Sequence, residues 1–246
     1  LTEILLCGLT VFLSFTLEVV TGFGGTVMAV SFVTALLGMH KGVVVLTLVA
    51  IIPQLSVVIR ERSRIDWKNY LIIAGLMLPF LFVGRMLQSA ADTAVLKRIL
   101  ACFIIAVSAF RLIRYFSLMR KKEEQDGETK VRWYSYLALV GAGVIHGMFS
   151  SGGPLAIVYA SSAVKEKDSF RSTMCLLWVT LNTILVVSYI ADGSLNAEIG
   201  RTILCLVPFV AAGIIAGNLI VRRVNEKVFS LVVYICLLVT GVIMLL

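Results

Sequence analysis

The chain has 246 residues, 59% of them hydrophobic and only 15% charged. Soluble domains run at about 45–50% apolar and about 25% charged, so an ordinary soluble enzyme, a disordered chain and a disulfide scaffold are excluded. The formal charge of +8 does not mark a nucleic-acid binder, because the basic residues sit at the ends of apolar runs and in one loop rather than on a soluble face with interleaved aromatics.

The apolar runs set the elements in chain order. Ile4–Leu17 and Val19–Met39 are broken by the turn Gly22, Phe23, Gly24, Gly25. The first run lacks a basic leader and a small-residue cleavage site, so no cleaved signal peptide is expected. Val43–Ile59 carries no charge and is close to the roughly 20 residues of a spanning helix. Tyr70–Gly84 and Ile99–Phe110 are shorter but flanked by basic residues that can snorkel. Trp133–Val164 is uncharged and too long for one span; it is broken at Ser150, Ser151, Gly152, Gly153 and Pro154. Ser172–Ala191, Thr202–Val221 and Val228–Leu246 follow, each without a charge. Barrel strands alternate and run only about 9–11 residues. The expected fold is therefore an all-α polytopic membrane bundle.

The pieces after the two glycine turns, Thr26–Leu37 and Leu155–Val164, rise about 18 Å or less. A hydrocarbon core is about 30 Å thick. They read as half-helices, either re-entrant or stacked end to end near the midplane, and the number of crossings stays open between eight and ten. Cys7, Cys102, Cys175, Cys205 and Cys236 all lie in apolar runs without CxxC spacing, which reads as inert packing and not as redox or metal chemistry.

Basic residues favour the cytoplasmic side in short loops. Arg60, Arg62, Arg64 and Lys68 put the loop after Ile59 inside, as Arg114, Arg120, Lys121, Lys122 and Lys130 do for the central loop from Arg111 to Arg132. Asp192–Arg201 leans acidic and is expected outside; Arg222, Arg223 and Lys227 put the last loop inside. Both termini are then outside. Trp67, Trp133, Tyr134 and Tyr136 fit interfacial positions, and Arg85, Arg111 and Arg114 read as snorkelling anchors. An access role for Lys41, His40, Lys165, Lys167 or Arg171 in attracting anions is the other use of such charge.

A weak repeat runs through the chain. Gly24 and Gly25 pair with Gly152 and Gly153 at a separation of 128 positions, and the same separation pairs Glu18 with His146 and Gln54 with Asn182. Further on, Gly84 resembles Gly217 and Val95 resembles Val228 at a separation of 133. The loop after the span of Gln54 is expected inside and the loop after the span of Asn182 outside. Equivalent loops on opposite faces mean inverted repeats, which place a shared site near the midplane between broken helices. The expected division is residues 1–115, a cytoplasmic linker at 116–132, and residues 133–246.

An acidic residue four positions before a glycine-rich turn, a polar residue midway along the next helix, and a weaker second copy of the set are similar to the TauE/SafE sulfite exporter family. The stretches that carry the resemblance are Glu18–Gly25 and His146–Pro154, with Arg64, Ile65, Asp66 and Trp67 resembling the family's basic, Asp/Trp-containing loop. Where members often have a third glycine this chain has Thr26 and Pro154, and His146 stands where a small polar residue is frequent. The resemblance implies transport of sulfite or a small organosulfonate across the bacterial inner membrane.

Glycine turns let backbone approach a ligand, and a half-helix starting after such a turn leaves N–H groups that bind anions. Gly22, Gly24, Gly25, Gly152 and Gly153 are the backbone candidates, and Thr21, Thr26, Ser150 and Ser151 offer hydroxyls. The alternative is close helix packing through small residues. Gln54 and Asn182 are expected to donate to substrate oxygens or to bond between helices. Glu18 and His146 are the proton-coupling candidates and could pair with each other, or serve as structural hydrogen-bonding groups. No nucleotide loop, metal cluster or nucleophile triad is visible, so no cofactor, metal or enzymatic role is expected. The expected function is a secondary transporter working by alternating access, with an anion channel or a non-transporting membrane subunit as the alternatives. Its expected partners are a small anionic substrate and the lipid bilayer; a homodimer stays open.

Overall fold

The computed structural model describes residues 2–21, 24–120 and 131–220, and residues 231, 235, 238, 239, 241, 242 and 245 of the last stretch. Nine helices form among them: α1 (Thr2–Thr21), α2 (Gly25–Leu37), α3 (Met39–Glu61), α4 (Trp67–Ala90), α5 (Thr93–Arg120), α6 (Trp133–Phe149), α7 (Gly153–Ala163), α8 (Lys167–Ala191) and α9 (Ala197–Ile220). No strand occurs among the described residues. The chain is an all-helical polytopic membrane protein, with six helices long and apolar enough to cross a bilayer among the described residues. Gly22, the side chains of Thr21, Arg111 and Arg114, residues 121–130 of the central loop, the last basic loop and Cys236 lie outside what is described.

The first break falls where glycine puts it. Gly24 takes a left-handed φ of 84° just before α2, a conformation that side chains disfavour. At the second break the left-handed residue is Ser150, with φ 51°. The helices that follow have 13 and 11 residues, so each rises about 20 Å or less. Pro154 sits in the first turn of α7, where a missing N–H removes no intrahelical bond.

Glycines also set the closest helix contacts. A side chain on Gly84 would strike the Val144 carbonyl of α6, and one on Gly217 would meet Val19 and the Thr16 carbonyl of α1. Thus α4 packs on α6 while α9 packs on α1. Each half of the chain supplies one helix to each of these pairs. Between them α3 packs on α8. Ser172 donates to Glu61 at 3.0 Å near one end of that pair, and Asn182 donates to Gln54 at 3.1 Å further along. Sequence number therefore rises along α3 as it falls along α8, and the two helices are antiparallel.

The interior is apolar, with Phe15, Leu46, Met77, Leu81, Leu139, Phe149 and Leu181 fully buried. Leu5, Leu9, Leu71, Met86, Leu204 and Leu219 are exposed instead. In a bilayer that outer surface faces lipid and needs no polar cover. Trp67, Trp133, Tyr134 and Tyr136 are exposed at the starts of α4 and α6.

Candidate functional site

Four polar side chains meet inside this apolar bundle. Glu18 and Gln54 are 1% exposed, His146 is 2% and Asn182 is 0%. They form one continuous chain of hydrogen bonds. Gln54 Nε2 donates to Glu18 Oε1 at 2.6 Å. Asn182 Nδ2 donates to Gln54 Oε1 at 3.1 Å, and His146 Nε2 lies 3.1 Å from Asn182 Oδ1. Glu18 and His146 do not pair directly, as the sequence had suggested; the two amides stand between them. The amides themselves are engaged with one another and with the two end groups.

Each end of the chain reaches the start of a half-helix. Glu18 Oε2 accepts from the Thr26 backbone N–H at 3.0 Å and from Thr26 Oγ1 at 3.2 Å. No capping side chain stands at Gly24, so a carboxylate from the preceding helix takes that role. An anion there is favoured by the unpaired N–H groups and by the positive end of the helix dipole. At the other end Gly152 N–H donates to His146 Nδ1 at 3.4 Å. Pro154 offers no N–H where Thr26 offers one in the first half, which leaves the second cap thinner.

Both turns are closed against the helix before them. A side chain on Gly25 would collide with the Ser14 carbonyl and Glu18 Cβ; one on Gly152 would collide with the Ala142 carbonyl and His146 Cβ. Gly25 and Gly152 are thus the close-approach glycines. Gly24 is required for its φ, while a side chain on Gly153 would touch only Trp178, at 3.7 Å. The Ser150 hydroxyl bonds to Thr47 Oγ1. The Ser151 hydroxyl is buried without a hydrogen-bond partner. Such a group is costly unless something fills the site.

A cavity of about 500 Å³ opens at the end of the bundle that holds His40, Lys41, Ser194 and Glu198. Arg85 lines it and points inward, not outward as an anchor would. It bonds to Asp192, donates to Gln88 at 2.9 Å, and lies 4.7 Å over the Tyr189 ring. Asp192 is the carboxylate within reach, and that pairing outcompetes snorkelling for this guanidinium. Lys41 is bound to Glu198 at 2.6 Å. The Tyr189 hydroxyl faces Thr47, Ser150 and Gln88 but makes no well-formed hydrogen bond. Tyr189, which lines the cavity, therefore stands between it and the α6–α7 turn.

Ion pairs gather at the opposite end. Arg171 holds Glu61, and its third nitrogen reaches the Val19 carbonyl at 3.5 Å. Arg64 is within 2.9 Å of both Glu166 and Asp168. Among the described residues no group of three or more His, Cys, Asp or Glu comes together as a metal site. Cys7, Cys102, Cys175 and Cys205 are free.

The chain matches the family described as sulfite exporter TauE/SafE over residues 7–244. The chain belongs to the TauE/SafE family. A search of curated proteins and one of solved structures gave no match. TauE/SafE proteins are membrane permeases for sulfite and related sulfur anions, transporters and not enzymes. Two residues around this TauE/SafE site escape the sequence reading. Trp178 stacks on His146 with ring centroids 5.3 Å apart, and Thr47 holds Ser150. A tryptophan in mid-span, away from the interfaces where tryptophans gather, was the available signal for the first. Thr47 carries none, because a lone threonine in a membrane helix normally bonds to its own backbone, as this one also does at Val43.

Proposed function

We propose that this chain moves sulfite or a small organosulfonate across the bacterial inner membrane by alternating access between two inverted repeats. The observation that carries this reading is the buried chain from Glu18 to His146, which joins the starts of two half-helices inside the bundle. The exchanged packing of α4 on α6 and α9 on α1, with α3 and α8 antiparallel, supports the inverted repeats. The repeats divide at 1–115 and 133–246, with 116–132 as a cytoplasmic linker and both termini outside.

The substrate sits at the second turn. The start of α2 already holds the Glu18 carboxylate, and a second anion beside it would be repelled. At the start of α7 the Ser151 hydroxyl is unengaged and the Gly152 N–H is held only at 3.4 Å. Ser150, Ser151, Gly152 and Gly153 supply donors to the sulfonyl oxygens. Gly24, Gly25, Thr26 and Gln54 hold the proton-coupling residue Glu18, and Asn182 holds His146. Thr21 and Gly22 are proposed as substrate-binding residues with them. The open cavity past Arg85 and Tyr189 is the outer access route, and the Arg171–Glu61 pair closes the inner one.

The test is flux into proteoliposomes under an imposed pH gradient, with sulfite, thiosulfate, sulfoacetate, taurine and carboxylate controls. Sulfur oxyanions are expected to move and carboxylates not. Glu18→Gln is expected to abolish the pH dependence of flux; unchanged dependence refutes the coupling. Conductance far above carrier turnover refutes alternating access.

A further inference from the structure

We infer that Gln54 and Asn182 form a two-amide relay, coupling a proton on Glu18 to the anion-binding N–H groups at the start of α7. The relay itself does not depend on what the chain carries; its use in transport rests on the sulfur-anion reading above.

The donor and acceptor roles in the chain are set by its two ends, because a backbone N–H can only donate. Gly152 N–H donates to His146 Nδ1, so that nitrogen is bare and the neutral ring carries its proton on Nε2. Nε2 then donates to Asn182 Oδ1. Asn182 donates onward to Gln54, and Gln54 to Glu18. From the other side Thr26 donates to Glu18 through both its N–H and its hydroxyl. Followed this way, the donors converge on Glu18, as an ionised carboxylate accepts them.

Let Glu18 take up one proton from water. Oε2 already accepts from the Thr26 N–H, a fixed donor; the proton that drives the relay goes to Oε1, where it meets the Gln54 NH₂. Two donors then face each other. Gln54 relieves this by turning its amide end for end, and Asn182 must follow. Its NH₂ now faces His146 Nε2, which has to accept. The imidazole takes one proton from water at Nδ1 and returns the Nε2 proton to water, so net uptake by the whole chain is the single proton on Glu18. Nδ1–H then confronts the Gly152 N–H, and that bond is lost. The point of conflict has moved from one half of the chain to the other. The freed Gly152 N–H, next to the unengaged Ser151 hydroxyl, is then available to an anion.

The surroundings leave few competing charges. α2 contributes no titratable side chain, and α9 meets this stretch of α1 through Gly213 and Gly217. From α8, the Cys175 thiol and Arg171 lie towards Glu18, with Arg171 bound to Glu61 of α3. Around His146, α8 presents Trp178 and, beside the Ser150 turn, Tyr189. α4 presents Gly84 and the backbone of Arg85, whose side chain is bound to Asp192. α7 carries only Tyr159 as a titratable group, bonded away to Asn69.

The test reads the tautomer. The chain has two histidines, so ¹⁵N-histidine labelling in a His40→Gln background reports His146 alone in lipid-embedded protein. At neutral pH the proton is expected on Nε2. In Glu18→Gln, which places an NH₂ permanently against Gln54, the protonated and bare nitrogen resonances are expected to exchange identity. Adding Gln54→Leu to Glu18→Gln is expected to restore the Nε2–H form. A folded Glu18→Gln protein with its proton still on Nε2 overturns the relay. Acidifying the otherwise native chain gives a second reading: the Nδ1–H form should grow before the imidazolium, and imidazolium arising with no tautomer exchange also overturns it. A tautomer exchange in protein that binds no sulfur oxyanion keeps the relay and rejects the transport reading.

Discussion

Glu18 and His146 occupy corresponding positions in the two halves, yet their chemistry differs. A carboxylate at the first position caps the start of α2 from within the protein. A neutral imidazole at the second caps the start of α7 weakly. In the proposed reading, one helix start is thereby occupied and the other is left to bind the substrate. The Ser151 hydroxyl marks the free one, because a buried hydroxyl without a partner destabilises the empty protein. Ser151→Ala is therefore expected to leave thermal stability unchanged or slightly raised. Sulfite affinity should fall about tenfold or more, the usual worth of a hydrogen bond to a charged group. Thermal melting and isothermal titration on the same sample separate this outcome from a structural role, which would lower both.

The half-helices depend on backbone approach as much as on polar contacts. Gly25→Ala and Gly152→Ala are each expected to disrupt folding or abolish binding, since the added methyl falls on a carbonyl of the preceding helix; size-exclusion profiles in detergent check the first and titration the second. Gly153→Ala should be tolerated in the fold. A different cap holds the start of α4. Asp66 accepts from the Asn69 N–H at 3.0 Å, and that bond holds its carboxyl below the usual carboxylate range. A carboxyl lowered in the folded state adds stability above its unfolded pKa of about 3.9, and that stability is lost as pH falls through the lowered value. Asp66→Ala is expected to cost about 1 kcal/mol at neutral pH. The difference from the native chain should close in melts taken towards pH ~2–3.

At the scale of the whole molecule the two ends differ. One end opens into a cavity lined by the Arg85–Asp192 pair, and the other carries the Arg171–Glu61 pair, which the proposed function makes its closure. Two such states exchanging about a fixed polar centre are what alternating access needs. The proposed sidedness can be measured directly. In a cysteine-free background, Ser194→Cys is expected to react with an impermeant thiol reagent from outside intact cells, and Arg64→Cys only after the membrane is opened. Reaction of both from one side would reject the inverted arrangement.

The sequence by itself determined that the chain lives in a bilayer, where its helices break, and which polar residues stand out inside its apolar spans. Hydropathy and the spacing of glycines are local properties, and a polar residue in mid-span stands out against an apolar background. Thus α2 and α7 start within one or two residues of where the glycine turns put them, and Glu18, Gln54, His146 and Asn182 were all legible. What only the tertiary structure decided is who bonds to whom. Gln54 and Asn182 are 128 positions apart, and no periodicity says that they donate to each other and not to a ligand. Arg85 read as a lipid anchor because its partner, Asp192, lies 107 positions away. Hydrogen-bond direction and charge pairing depend on distances between helices, and those are set by side-chain packing across the bundle, which a one-dimensional pattern does not contain.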